Sequence, residues 1–219
     1  MKIMKLNAIL NLKSIAKYTF FSLFFVCVLM SFNGVEGALT ESAVVKIGVP
    51  IVKFDLPATD GQNYSNDSFK DAKVLVIVIT CNHCPYAKAS WPVIIEMQRK
   101  YSGQGVQFVA INPNDETEYP EDSFENMKKM VEKLGINMPY LRDETQEVAR
   151  KLNAVCTPDI FVYGVDRTLS YHGRINDNWQ NPEKVTSNDL DVAINGLLRG
   201  NPPIKNQIPS MGCSIKWKK

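Results

Sequence analysis

Histidine is the scarcest reactive residue in this 219-residue chain, present only as His83 and His172. No second C-x-x-C and no H-x-x-x-H spacing accompanies the single pair at Cys81 and Cys84, so a closed four-ligand zinc site has no second half. Charge of one sign is also lacking. Lys and Arg total 25 against 23 Asp and Glu, with no long basic run, which excludes the usual footprint of a nucleic-acid binder. No internal repeat or low-complexity stretch suggests an array or a linker. Nor does any apolar run reach the roughly 20 residues that a membrane-spanning helix needs.

The most apolar run, Tyr18 to Phe32 ("YTFFSLFFVCVLMSF"), follows Lys2, Lys5, Lys13 and Lys17 and precedes "NGVEGALTES". A basic lead, a short greasy core and a small-residue exit have the layout of a secretory signal, with cleavage expected after Gly37. The alternative is an uncleaved segment that holds the protein to a membrane. Bulky Val26 before Cys27 argues against a lipid-modified cysteine. Residues 1–37 carry four lysines against Glu36, so their removal takes the formal +2 to about −1. The expected layout is a signal at 1–37, one domain at 38–200 and a C-terminal tail at 201–219 packed on it. The location is extracytoplasmic, either periplasmic or secreted. Four cysteines then remain (Cys81, Cys84, Cys156 and Cys213), an even number that suits disulfide chemistry in an exported chain.

"VPIVKFDLPATDGQNYS" reads as a hairpin with its turn at Asp60-Gly61. "KVLVIVIT", Lys73 to Thr80, is a continuous β-branched run, the mark of a strand buried on both faces. A helix is predicted from Pro85 to Tyr101 and a second buried strand from Val106 to Asn112. An amphipathic helix is predicted from Ser123 to Gly135, then a short extended "MPYLRD" and a helix over "ETQEVARKLN". Two strands in "PDIFVYGVDRTLSYHGRI" and a helix from Ser187 to Arg199 close the domain. The pattern is α/β: a mixed central sheet with helices on both faces.

A C-x-x-C pair directly after a buried strand falls at a helix N-terminus, where free backbone N–H groups and the positive dipole end stabilise a thiolate. The first cysteine is expected to be the exposed one, and His83 between the two is expected to tune the Cys81 thiol. A loop closed by C-x-x-C constrains too little chain for a structural staple. The pair therefore reads as redox-active. A second feature is "CTPDIFVY", which places Thr157-Pro158 at the mouth of a buried strand, an unusual station for proline.

With these two motifs the chain resembles the thioredoxin-like superfamily over roughly residues 45 to 200. The helix and short strand between Val106 and Pro158 are similar to its larger redoxin branch, the peroxiredoxin-like and AhpC/TSA-related proteins. "CNHCPY", "CTPD" and "PSMGCSIKWK" together resemble a group of uncharacterised redoxin-domain proteins. The resemblance implies a thioredoxin-like fold with an N-terminal hairpin extension and an inserted helix. It also implies Cys81 as attacking thiol, Cys84 as resolving thiol, Pro158 as a cis-proline facing them, and Thr157 as the residue offering backbone groups to substrate.

Three departures from that pattern stand out. The peroxidatic P-x-x-x-T-x-x-C fits neither register: Ile77 and Cys81 precede Cys84, and Val74 and Val78 precede Cys81. The buried acid of thioredoxins, six residues before the first cysteine, is here Leu75, which leaves Lys88 as the candidate proton carrier. The helix proline is displaced to Pro92, which predicts a lengthened or bulged first helix.

Cys156 and Cys213 are expected to form a second disulfide, to relay electrons to the pair, or to stay free. Bridging them would close about 57 residues, worth about 4 kcal/mol in the chain-entropy model. His172 is expected at the surface, and Trp179 and Trp217 in packing roles. The expected activity is thiol–disulfide exchange with protein thiols and disulfides, fed by an upstream redox partner, with no cofactor and no metal. The alternatives are a thiol-dependent peroxidase and a copper(I) chaperone.

Overall fold

The computed structural model describes residues 45–219. The expected signal segment, residues 1–37, lies outside them. An antiparallel hairpin, β1 (Asp55–Pro57) with β2 (Asn63–Ser65), turns through Gly61, whose φ of 83° suits glycine. β3 (Val74–Ile79) is buried along its whole length, as its β-branched run requires. α1 (Pro85–Tyr101) crosses over to β4 (Val106–Asn112), which lies parallel to β3 with Val76 opposite Phe108. α2 (Phe124–Leu134) is inserted before β5 (Tyr140–Arg142), which extends the sheet parallel to β4. α3 (Glu147–Lys151) and the two-residue β6 (Cys156–Thr157) follow. β7 (Asp159–Tyr163) then returns antiparallel to β3, with β8 (Leu169–Gly173) antiparallel to it at the edge. α4 (Asp189–Leu198) and β9 (Cys213–Ser214) complete the order. The central sheet runs β5-β4-β3-β7-β8, which is the expected mixed sheet of a thioredoxin-like fold.

Period-two alternation divides β3 between two cores. Val74, Val76 and Val78 pack with Trp91, Ile94, Met127 and Ile194, beneath α1, α2 and α4. Leu75, Ile77 and Ile79 face Phe54, Val148, Leu152 and Phe161 on the other side. Each such side chain contributes roughly 1.5–3 kcal/mol by leaving water, so β3 is the strand from which the site is suspended.

Several local expectations meet their elements closely. α1 has the predicted bounds, and Pro92 sits within it on an exposed position, without breaking it. α2 is capped by Ser123, whose Oγ accepts the Asn126 N–H at 3.4 Å, and ends at Gly135 with φ 62°. The helix expected over "ETQEVARKLN" is shorter, with five residues. Gln146 takes a left-handed φ of 63° and spends its side-chain amide on the Pro113 and Lys216 carbonyls, at 2.7 and 2.8 Å. His172 is not a plain surface residue. In β8 it stacks on Phe161, with ring centroids 4.4 Å apart, and its Nε2 lies 2.8 Å from Asp159 Oδ1.

The tail is fastened to the domain at several points. The Ile208 carbonyl accepts the Arg174 N–H at 3.0 Å, and Ser210 Oγ donates to the Gly173 carbonyl at 2.7 Å. β9 pairs antiparallel with β6, Thr157 opposite Cys213. Ile215 is buried, and the Lys216 N–H donates to Asn114 Oδ1 at 2.9 Å. Among the described residues no helix is long and apolar enough to cross a membrane.

Candidate redox site

Cys81 leaves the end of β3, and Cys84 is the N-cap residue of α1, with Pro85 at the first helical position. Proline fits there because its missing N–H would have no helical partner. The Thr157-Pro158 peptide is cis, and Thr157 lies over the pair. Thr157 Oγ1 is 3.2 Å from Cys81 Sγ, and the Thr157 carbonyl oxygen is 3.2 Å from Cys84 Sγ. Cys81, Cys84, Thr157 and Pro158, four of the residues singled out in the sequence, therefore converge. Cys156 lies one residue further along, with its Sγ donating to the Pro158 carbonyl at 3.5 Å.

Exposure differs from expectation. Both Cys81 and Cys84 are 0% exposed, because the tail and the Thr157 segment cover them. The covering residue is Cys213, itself partly exposed, whose Sγ lies 2.7 Å from Cys84 Sγ. All four described cysteines are free thiols. Cys213 faces Cys84 and not Cys156, because in the β6–β9 register Cys156 stands opposite Ser214.

The two sulfurs of the pair share a proton unequally. Cys84 is lowered to about 4: Cys81 donates toward it, and the Cys213 thiol and the Ala87 and Cys213 backbone N–H groups add further hydrogen bonds. The Thr157 carbonyl opposes this charge, but one acceptor is outweighed by those donors. Cys81 is pushed well above its ordinary value, because it holds the shared proton, is buried and faces Asp122. The negative charge thus rests on the second cysteine and not on the first. Burial first, and then the Cys84 sulfur, raise Cys213 to about 11, so at neutral pH it is a thiol turned toward Cys84. Burial also pushes Cys156 up.

His83 makes its direct hydrogen bond to a carboxylate beside the sulfur. Its Nδ1 lies 2.5 Å from Asp122 Oδ2, and its ring stacks on Tyr119 at 4.9 Å. Asp122, fully buried on a 3-10 turn (Pro120–Asp122), anchors the whole Cys-x-x-Cys turn. Its Oδ1 accepts the Asn82 N–H at 2.6 Å and the His83 N–H at 3.3 Å, and its Oδ2 accepts Asn114 Nδ2 at 2.8 Å. Tyr140 donates to Asn82 Oδ1 at 3.0 Å, and burial holds its hydroxyl well above the ordinary range. Sequence reasoning did not single out Asp122, Asn82, Asn114 or Tyr140. The signal that was available is the cluster of short polar residues, "NPND" and "PEDS", following a buried strand. Lys88 is exposed and makes no side-chain contact with the pair, so Asp122 is the ionisable group beside Cys81.

Cys81, His83 and Asp122 are the one group of described residues with three metal-ligating atoms close together, all within 4.8 Å of one another. The geometry does not suit an ion. Ligands about 2.1 Å from a tetrahedral centre stand about 3.4 Å apart, whereas the His83–Asp122 contact is 2.5 Å and already closed by a hydrogen bond.

Beside Pro158 lies a groove of about 350 Å³ lined by Val93, Ile160, Arg174, Trp179 and Met211. Trp179 forms its wall and packs on Tyr86 at 4.0 Å, two residues from Cys84. Trp217 instead lies under the Arg150 guanidinium at 4.2 Å.

The AhpC/TSA family profile matches residues 47–172. Among solved structures, an uncharacterized conserved protein from Geobacillus kaustophilus is 42% identical with a TM-score of 0.77, over 80% of this chain and 94% of its own. A hypothetical protein from Sinorhizobium meliloti 1021 is 36% identical with a TM-score of 0.76, over 80% of this chain and 96% of its own. A thioredoxin-family thiol:disulfide interchange protein from Chlorobium tepidum TLS is 20% identical with a TM-score of 0.55, over 71% of this chain and 99% of its own, a likeness of fold. No curated protein matches the chain.

Proposed function

Because the chain belongs to the AhpC/TSA family of thioredoxin-fold redoxins, we propose that it is an extracytoplasmic thiol–disulfide oxidoreductase that exchanges a disulfide between Cys81 and Cys84 with protein thiols. The observation that carries this reading is the convergence of the two sulfurs beneath Thr157, whose Oγ1 and carbonyl oxygen lie 3.2 Å from Cys81 Sγ and Cys84 Sγ respectively, beside cis-Pro158. A sulfur held as thiolate is a ready nucleophile, and a neighbouring thiol within hydrogen-bond reach can close the disulfide after it. Asp122 fixes the turn that carries both cysteines.

The reaction needs no bound cofactor: two electrons and the disulfide bond pass between sulfurs. Reduced Cys81 and Cys84 convert a substrate disulfide to two thiols and become a disulfide themselves, and an upstream dithiol restores them. Location outside the cytoplasm rests on the basic-then-apolar N-terminal segment, residues 1–37, which we take to direct export. Residues 38–200 then form the redoxin domain, and 201–219 form a tail that contributes to its site.

Insulin reduction with dithiothreitol as electron donor tests the reading. Cys81→Ser and Cys84→Ser are each expected to lose turnover at least a hundredfold. Retention of most activity by either variant would remove the pair from the mechanism. Hydrogen peroxide consumption is expected to be slow. A peroxide rate exceeding the insulin rate would favour the peroxidase reading instead.

A further inference from the structure

The pair is closed off from solvent, yet exchange with a protein needs a sulfur that the protein can reach. Cys81 and Cys84 are both 0% exposed, whereas Cys213 is partly exposed and its sulfur is 2.7 Å from Cys84. The fit at this point is tight. A Cβ on Gly212 would stand 2.2 Å from the Thr157 carbonyl oxygen, so only glycine lets the tail come this near and set Cys213 against the pair. β9 occupies the backbone of Thr157 as a paired strand, which leaves no free edge there for a substrate. The groove beside it is walled by Trp179, Pro158 and, from the tail itself, Pro209 and Met211, two residues before Cys213. Met211 is exposed there, an apolar residue two positions before the partly exposed Cys213. Cys156 takes no part, being buried and turned to the Pro158 carbonyl.

We propose, resting on the reading of Cys81 and Cys84 as an exchange pair, that Cys213 is a third catalytic thiol, which takes up the substrate disulfide and passes it through Cys84 to Cys81. Cys213 gives its proton to the Cys84 thiolate and attacks one sulfur of the substrate disulfide. A Cys213–substrate bond forms, the substrate bond breaks, and the first substrate thiolate leaves. Cys84 then attacks Cys213 Sγ, so the mixed disulfide breaks and the second substrate sulfur departs with the Cys84 proton. Finally Cys81 attacks Cys84, the Cys84–Cys213 bond breaks, and the Cys81 proton goes to Cys213. One substrate disulfide is reduced, one Cys81–Cys84 disulfide is formed, and Cys213 is regenerated as a thiol.

Insulin serves as the probe. In reduced Cys84→Ser, incubated with insulin and digested without reductant, the trapped insulin chain is expected on Cys213. In Cys81→Ser, oxidised with one equivalent of diamide, the expected crosslinked peptide joins Cys84 to Cys213. Cys213→Ser is expected to lose insulin turnover at least tenfold while its Cys81–Cys84 disulfide still titrates in glutathione buffers. Insulin trapped on Cys81, or nowhere on Cys213, overturns the proposal, as does wild-type turnover in Cys213→Ser. These outcomes leave the exchange pair standing. A wild-type protein with neither insulin turnover nor a titratable Cys81–Cys84 disulfide overturns both.

Discussion

Asp122 takes up the His83 imidazole beside the Cys81 sulfur: Nδ1 is 2.5 Å from the carboxylate, and the ring lies flat on Tyr119. The same carboxylate accepts the backbone N–H groups of Asn82 and His83, so one buried side chain sets both the shape and the charge of the active turn. Asp122→Asn keeps one acceptor but turns an amide donor toward Asn114 or His83. Its expected cost is about 1–3 kcal/mol, read as a lower urea midpoint. Losing the negative charge beside Cys81 also removes one cause of its raised pKa. Cys81 stays the protonated partner of the reduced pair at neutral pH, so the potential there is expected to move by less than about 30 mV, the equivalent of one pKa unit. A larger shift in glutathione buffers would show that the Asp122 charge acts on the Cys84 thiolate as well.

The split between Cys84, at about 4, and Cys81, pushed up, has a direct pH signature. Between about pH 4 and the ordinary thiol range near 9, the reduced pair carries one proton instead of two. The potential should therefore fall by about 30 mV per pH unit there, against about 59 mV for a pair that keeps both protons. The same accounting fixes the stability of the reduced protein. The depressed Cys84 contributes stability that is complete above the unfolded pKa near 9 and is lost as pH falls toward 4. The raised Cys81 has the opposite sign, and its contribution is lost as pH rises above 9. For the pair alone, reduced-protein stability is greatest near pH 9. A slope of about 59 mV per unit at pH 6 to 8 would contradict this distribution of protons.

Gly212→Ala places a methyl group 2.2 Å from the Thr157 carbonyl oxygen, and that neighbour is backbone that cannot swing aside. The expected result is release of β9. Maleimide labelling of Cys213 should rise at least tenfold, and thermal stability should fall by about 1–3 kcal/mol as the β6–β9 pairing and the Ile215 contact are lost. Unchanged labelling would mean that the tail can adapt without leaving.

Asp159 is fully buried and bridges two segments. Its Oδ1 meets His172 Nε2 at 2.8 Å, and its Oδ2 accepts the Val155 N–H at 3.2 Å, four residues back along the chain. Asp159→Ala leaves both donors without their partner and is expected to cost about 1–3 kcal/mol. Because the freed segment carries Thr157, insulin turnover should fall too. Loss of stability with turnover intact below the melting range would separate this bridge from the site.

What the sequence made legible was local. The all-buried β3 followed from an uninterrupted β-branched run, α1 from a C-x-x-C followed by helix formers, and α2 from a serine cap and a terminal glycine, since each signal lies within a few residues of its effect. Thr157-Pro158 was legible as a motif at a strand mouth. Asp122 was not, because its partners Asn82 and His83 lie about forty residues upstream and a lone aspartate before a helix reads as an ordinary cap residue. The exposure of Cys81 was misjudged for a related reason. Its cover comes from Thr157, 76 residues away, with the tail strand paired behind it, and no periodicity encodes that return. His172 looked like a surface residue because a strand end alone does not reveal a buried aspartate on the neighbouring strand.

The cover over the pair also fixes a moment in the life of the chain. Cys213 is polymerised 129 residues after Cys84, and at the usual pace of synthesis that is roughly 6–25 s later. Through that interval the two cysteines of the active turn exist without their lid, and Cys84 lacks two of the donors that lower its pKa. The shielded pair of the finished protein, with Cys84 held acidic, forms only when the tail closes over Thr157.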